Sequence, residues 1–321
     1  MSDKALLQRF DAWRRTGTPL ALATVVSTAG STYTKPGQRM LITATGDYQG
    51  LISGGCLEGD LAIHARQVIA SGEARVITYD LRNDADEPFG LGIGCDGLLR
   101  ILLQRLSPAD GYEPFFAVAA ALCGDVPAHC AVVLADAGEL RIGTTLISAD
   151  GLFRQPGLAM NDVLYAPLRP LPRLLVLGAG PDAVPVVALA DLLGWRITLV
   201  DHRAAYLERP GFAAADSRVC VPAAEVADPI ALLPYAAAIV MSHHLATDRS
   251  YLAALATSPI PYVGLLGPPG RRNRLLQELG DTAKALEGRL HGPAGLDIGA
   301  DSPESIALSI LAEIHAMTRT R

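Results

Sequence analysis

The sequence has no C-x-x-C pair, no basic block and no apolar run long enough to span a bilayer. Its five cysteines (Cys56, Cys95, Cys123, Cys130 and Cys220) are odd in number and widely spaced. That spacing speaks against a zinc ribbon, and the length of 321 residues speaks against a small disulfide scaffold. The first residues, M-S-D-K-A-L-L-Q-R-F, are charged and amphipathic and lack the apolar core of a secretory leader. Together with the cysteine pattern this gives the expectation of a reducing cytoplasm. The net charge of −6 is spread along the chain, which disfavours nucleic acid as the main partner. Apolar stretches such as Pro229 to Met241 are short and broken by proline, so membrane insertion is not expected. Aromatics are few, at 5%, and no internal repeat is found.

Glycine is abundant, and its placement is informative. Residues Gly50 to Asp60 read G-L-I-S-G-G-C-L-E-G-D, with Cys56 directly after Gly54 and Gly55 and with Glu58 two positions on. Glycine tolerates positive φ and lets a backbone approach a ligand closely. A thiol on such a turn beside an acid suggests a site for a soft metal or for sulfur. The pattern recurs in L-G-I-G-C-D-G, where Cys95 is flanked by Gly92, Gly94 and Gly97. The plainer reading of either cysteine is a small buried hydrophobe. Cys123, Cys130 and Cys220 lie in apolar segments and read as structural. Ser31, Lys35 and Arg39 sit in a Gly/Pro loop and are candidates for a phosphate, with ordinary loop polarity as the alternative.

Periodicity gives the outline of the fold. An opening helix is predicted over 3–16, strands over 20–27, 40–43 and 51–52 with a turn at 47–50, a helix over 58–71 ended by Gly72, and strands over 74–79 and 98–103. This is an α+β domain over 1–106. Residues 107–170 hold a helical patch, strands over 131–134 and 140–146, and a linker rich in Gly and Pro. From 171 to 321 short apolar strands alternate with helices, the pattern of a doubly wound parallel sheet. The fold class is therefore α/β: an N-terminal α+β domain followed by a Rossmann-like C-terminal domain.

The C-terminal domain opens with G-A-G-P-D-A (Gly178 to Ala183) between a strand and a helix. This is the setting the dinucleotide loop G-x-G-x-x-A requires, with Gly178 and Gly180 as its glycines. Asp201 ends the next strand, 21 residues past Gly180, where an acid bonds a ribose 2′-hydroxyl. Pro181 removes an N–H donor, however, and Asp182 puts negative charge where a pyrophosphate would sit. H-H-L-A-T-D carries His243 and Asp248 just past a strand end; Asp248 alternatively caps the next helix. Arg271, Arg272 and Arg274 at a helix start oppose the helix dipole, which suggests a site for anions or else a solvated face. Asp297 sits in the Gly-bounded turn G-L-D-I-G-A ahead of the last helix.

These strings together resemble the XdhC/CoxI family, the xanthine dehydrogenase accessory factors. The resemblance rests on G-S-T-Y-T-K-P-G-Q-R-M-L, G-L-I-S-G-G-C-L-E-G-D and G-L-G-I-G-C-D-G in the first half. In the second half it rests on G-A-G, V-D-H-R, the His243–Asp248 spacing, Y-V-G-L-L-G, G-L-D-I-G-A and S-P-E-S-I-A. It implies a protein that binds molybdenum cofactor, as molybdopterin or its cytosine dinucleotide form. Such a protein holds the cofactor during sulfuration and inserts it into a molybdenum hydroxylase. Implied partners are a cysteine desulfurase, the apo-hydroxylase and a second copy of the chain. Cys56, Glu58 and Cys95 would carry the chemistry, with Cys56 on the molybdenum. Cofactor binding would fall to Ser31, Lys35, Arg39, Gly54, Gly55, Gly178, Gly180, Asp201, His243, Asp248, Arg271 and Asp297. Where many members have G-A-G-H this chain has G-A-G-P-D, so that histidine's role does not carry over. Two other readings stay open. One is an NAD(P)-dependent oxidoreductase using the glycine loop; the other is a scaffold that bridges desulfurase and hydroxylase without binding pterin.

Overall fold

In a computed structural model of the chain, residues 2–80, 97–153, 162–227 and 234–319 are described. The chain divides into two compact units, Met1–Pro170 and Leu171–Arg321.

The first unit opens with helix α1 (Asp3–Arg15), whose N-terminus is capped by Ser2. Strands β1 (Leu20–Gly30), β2 (Arg39–Thr43), β3 (Tyr48–Gly50), β4 (Arg75–Asp80) and β5 (Gly97–Leu106) form an antiparallel sheet in the order β3-β2-β1-β5-β4. Helix α2 (Glu58–Ser71) covers one face, with Leu61, Ala65 and Val68 packed on Ala23, Ile42 and Ile101. Gly72 ends α2 in the left-handed region at φ 78°, its N–H returning to the Val68 carbonyl. Of residues 47–50, expected as a turn, Tyr48–Gly50 instead form β3. The turn lies earlier, where Thr43, Thr45 and Asp47 hydrogen-bond one another, and Leu51–Ile52 follow the strand.

After helix α3 (Phe115–Cys123) come β6 (Ala128–Val133), β7 (Thr145–Ser148) and β8 (Val163–Leu168), a second sheet in the order β7-β6-β8. The expected strand over 140–146 therefore begins later. Strand β8 is an addition; Pro167 sits on it because β8 is an edge strand, where a missing N–H costs no ladder bond. Two cysteines read as structural are exposed: Cys123 ends α3 and Cys220 ends an edge strand. Cys130 is buried.

The second unit is a six-stranded parallel sheet: β9 (Arg173–Leu177), β10 (Arg196–Asp201), β11 (Ser217–Cys220), β12 (Ala237–Val240), β13 (Val263–Leu265) and β14 (Leu290–His291). The order is β11-β10-β9-β12-β13-β14, which is 3-2-1-4-5-6 counted from β9. Helices α4 (Ala183–Leu192) and α8 (Pro303–Arg319) pack on one face, through Val186, Val187, Ile310 and Ile314. Between β10 and β11 lies the short α5 (Ala204–Leu207); α6 (Leu245–Ala256) and α7 (Pro269–Leu279) cover the other face through Tyr251, Leu252 and Leu275. Burial on both faces explains why the strands read as unbroken apolar runs. Order reverses between β9 and β12, so their carboxyl ends frame the crevice where such sheets bind ligands. Among the described residues no helix is long and apolar enough to cross a membrane.

Candidate functional site

In the first unit the site is the turn between β3 and α2. Gly54 and Gly55 adopt φ 83° and 113°, in the region that favours glycine. A Cβ on Gly55 would meet no atom within 4 Å, so the turn faces open space. Cys56 is half-buried at its end. Glu58 does not face that space. It is 1% exposed and accepts hydrogen bonds from the N–H groups of Ile52 (3.0 Å), Ser53 (2.9 Å) and Gly55 (3.0 Å), and from Ser53 Oγ. Ser53 Oγ in turn accepts from Leu57 N–H at 2.7 Å. Burial pushes the Glu58 carboxyl up, but the donors around it outweigh this and hold it below the ordinary value. Glu58 is thus the pin that fixes the glycine turn and with it the thiol.

The neighbouring candidates divide. Tyr33 packs on Gly54, so the loop holding Ser31 and Lys35 lies beside the turn; both residues are exposed. Arg39 points elsewhere, its Nη2 lying 3.3 Å from Cys130 Sγ. It bridges the two sheets of the first unit, from β2 to β6. Cys95 lies outside the described residues. Gly97, two positions on, is tightly packed: a Cβ there would lie 2.6 Å from the Ser31 carbonyl oxygen.

In the second unit the candidates gather at the carboxyl ends of β9 and β12. Gly178, at φ 121°, is required by close approach, because a Cβ would lie 2.7 Å from the Met241 carbonyl carbon. Asp201 is 1% exposed and takes the Ala179 N–H (2.8 Å) on one oxygen and the Arg203 N–H (2.9 Å) on the other. The Arg203 guanidinium binds both oxygens. Burial raises this carboxyl, and Arg203 with the Ala179 N–H more than offsets it, so it stays below the ordinary value. The ribose-binding role expected of Asp201 therefore finds no open carboxylate; the residue ties the glycine loop to β10.

Asp248 is likewise turned inward. It is fully buried and accepts from Ser242 N–H (3.2 Å) and Ser242 Oγ, and from Arg271 Nη2 at 2.6 Å. The helix cap is His244, whose Nδ1 accepts from the Thr247 N–H at 3.4 Å. Arg271, expected to receive an anion, neutralises Asp248; Arg274 pairs with Glu278 at 2.9 Å. His243 remains exposed, at φ 60°, with Nε2 2.6 Å from Asp182 Oδ2.

Asp182, His243 and Asp297 line a cavity of about 730 Å3, walled by Met241, Leu266 and Ile306. The turn carrying Asp297 is held by Glu313, a residue that no sequence motif singles out. Glu313 accepts from Tyr262 Oη (2.6 Å) and Gly295 N–H (2.8 Å) and lies 3.1 Å from His291 Nδ1. The available signal was an acid on the inward side of an amphipathic helix. Among the described residues no group of three or more His, Cys, Asp or Glu is arranged to hold a metal ion.

Comparison with known proteins gives the lineage. A family model described as the XdhC and CoxI family matches residues 13–80, and one described as the XdhC Rossmann domain matches 174–314. A Bacillus subtilis relative, named as a probable xanthine dehydrogenase component, is 30% identical over 94% of this chain and 93% of its own. The chain belongs to the XdhC and CoxI family. A second relative is the molybdenum cofactor insertion chaperone PaoD of Escherichia coli, 25% identical over 94% of this chain and 84% of its own. A crystal structure from Bacillus halodurans, described as a xanthine dehydrogenase, aligns with TM-score 0.82 and 29% identity over 100% of this chain and 97% of its own. The first family match contains the whole Gly54–Glu58 turn, and the second contains the crevice from Gly178 to Asp297. The XdhC/CoxI relationship thus covers both candidate sites.

Proposed function

We propose that this chain is an accessory factor that binds molybdenum cofactor and inserts it into a molybdenum hydroxylase of the xanthine dehydrogenase type. The observation that carries this reading is the Ser53–Glu58 turn. A soft thiol is displayed beside open space on a backbone fixed by four hydrogen bonds to one carboxylate. A thiolate is a soft ligand suited to molybdenum, and a preset turn holds it without ordering cost at binding. The cofactor is cargo here, so the site must hold it firmly enough to retain it and must also let it go. A protein thiolate suits that task, and among the described residues no group of three or more His, Cys, Asp or Glu is arranged to hold a metal ion. Relatives named for xanthine dehydrogenase and for cofactor insertion support the assignment.

The finer points belong to the same proposal. Cys56 ligates the molybdenum and Glu58 positions it. Sulfuration takes place while the cofactor is held, with a cysteine desulfurase as donor, and the working form is a homodimer in the cytoplasm. The nicotinamide alternative has the strand order in its favour, and Pro181, Asp182 and the enclosed Asp201 against it. Incubating the purified chain with molybdopterin-bound molybdenum and then measuring molybdenum and pterin after desalting tests the proposal. Near-stoichiometric retention by the native chain and its loss in Cys56→Ala, with unchanged melting temperature, are expected. Equal retention by the variant removes Cys56 from the site; no retention by the native chain removes the function.

A further inference from the structure

The exposed apolar side chains of the second unit lie on one side of its sheet. Leu192 and Leu193 stand at the end of α4 and Leu308 on α8. Leu296 and Ile298 lie on the turn that meets α8 through the Leu296 N–H and the Ser309 carbonyl. Among the described residues α6 and α7, on the other side, carry no exposed large hydrophobic. Their surface holds charge instead, with Glu278 lying 3.6 Å from Arg249 and 2.9 Å from Arg274. A helix that faces water is ordinarily built in that way.

Helix α4 is built differently. Its sequence, A-V-P-V-V-A-L-A-D-L, holds one ionisable group, Asp191. Val186, Val187 and Ala190 pack on the sheet, whereas Leu192 is 75% exposed. A helix apolar on every side is one that is buried on every side. Helix α8 packs in the same layer. Its outward stripe runs Glu304, Leu308, Ala312 and His315, at helical spacing, with Leu308 54% exposed. Together the two helices present an apolar surface to water in the single chain, which is the mark of a protein contact.

The charges on the stripe identify what covers it. Glu304 lies in the first turn of α8, and His315 follows about three turns on. Neither side chain has a hydrogen bond or an ion pair with the described residues. A two-fold axis across the middle of the stripe sets α8 antiparallel to its own copy and exchanges the two ends. Glu304 then meets the partner subunit's His315, and the same pair forms again at the other end. Leu308 comes over the partner subunit's Ala312, whose small side chain leaves room for it. Opposite charges at the ends with apolar residues between them form a pattern that complements itself, and an unrelated partner has no need of that.

We propose that the α4–α8 face pairs with the same face of a second copy of this chain about a two-fold axis. The inference rests on the homodimer reading above and gives that dimer its interface.

Sedimentation velocity on the full chain tests it. The native chain should sediment as a dimer at micromolar concentration. Leu192→Glu/Leu308→Glu changes two side chains that are exposed in the single chain. It should keep the native circular dichroism and raise the dimer dissociation constant at least about a hundredfold. His315→Glu sets acid against acid at both ends and should raise the constant about tenfold. Adding Glu304→His restores the opposite pair with its members exchanged and should recover native association. Dimerisation that survives Leu192→Glu/Leu308→Glu overturns the inference and leaves the homodimer with another interface. No effect of His315→Glu, or one that Glu304→His does not reverse, overturns the two-fold arrangement and with it the inference. A native chain that stays monomeric removes the interface and the homodimer together. Molybdenum retention is measured on the same samples, and retention by a monomer leaves the accessory function standing without this interface.

Discussion

His243 Nε2 lies 2.6 Å from Asp182 Oδ2, so the loop after β12 is tied to the loop after β9 across the point where strand order reverses. Both partners are solvent-accessible, and pairs of this kind contribute little to stability. Their consequence is positional. A carboxylate occupies the place where the glycine loop of a dinucleotide site presents N–H groups to a pyrophosphate, and the preceding Pro181 has no N–H to give.

The first prediction concerns nucleotide. Titrating NADH into the native chain should leave its fluorescence unchanged. In Pro181→Ala/Asp182→Gly a donor is restored and the repelling charge removed, so a blue shift and enhancement on binding are expected. A native signal as large as the variant's would show that the loop accepts a pyrophosphate as it stands.

Acid sensitivity follows from the two inward-turned carboxylates. Glu58 and Asp201 are both held below their ordinary values of 4.5 and 3.8. A carboxyl depressed by folding contributes stability that is complete above its unfolded value and is lost as pH falls through its folded value. Urea midpoints should therefore be level above about pH 5 and fall steeply below about pH 4. Glu58→Gln should lower the plateau and flatten the acid limb, because the amide keeps the shape and loses the charge. An acid limb unchanged in Glu58→Gln would assign the loss to other groups.

The glycines of the first site separate strain from contact. Gly50 has φ 119°, and a Cβ there would lie 2.6 Å from the Met40 Cα; Gly55 has φ 113° and a Cβ would meet nothing within 4 Å. Gly55→Ala should cost about 1–2 kcal/mol, the backbone term alone. Gly50→Ala carries a backbone clash as well and should cost above about 3 kcal/mol. Guanidinium unfolding curves give both values, and equal costs would contradict the geometry.

Much of this architecture is legible in the sequence because local signals fix it. The 58–71 helix has both its apolar face and the Gly72 stop, and the β9–α4–β10 unit has its loop and its strand-end acid. What local signals do not carry is the partner of a polar side chain. Glu58, Asp201 and Asp248 stand in motif positions and read as groups facing a ligand, yet each satisfies donors of its own chain. Arg271 reads as an anion receptor, and its anion is Asp248, 23 residues away. Glu313 and Arg289 carry no motif, since their partners come from other elements. Strand β8 is hidden by its proline, which is tolerated at an edge that periodicity does not reveal.

Arg289 gives the sharpest stability prediction. Its Nε donates to Ala285 O at 2.8 Å, Nη1 to Ser258 O (2.9 Å) and Ile260 O (2.8 Å), and Nη2 to Leu255 O (2.9 Å) and Ala256 O (3.1 Å). A guanidinium has five N–H donors, and here each one meets a carbonyl. Two of those carbonyls belong to the last residues of α6, where a cation also complements the helix dipole. Burial pulls the guanidinium pKa down from its ordinary value, but from so high a starting point the group stays charged. Arg289→Met removes all five of these donors, although the Leu255 carbonyl keeps the Ser258 N–H and Oγ, and should destabilise the second unit by about 3 kcal/mol or more. Arg289→Lys supplies at most three donors from a point charge and should recover only part of that loss. The expected order of guanidinium midpoints is native, then Lys, then Met, with no change in molybdenum retention below the transition. A Lys variant as stable as the native chain would mean that charge alone, and not the five-way fork, holds the end of α6.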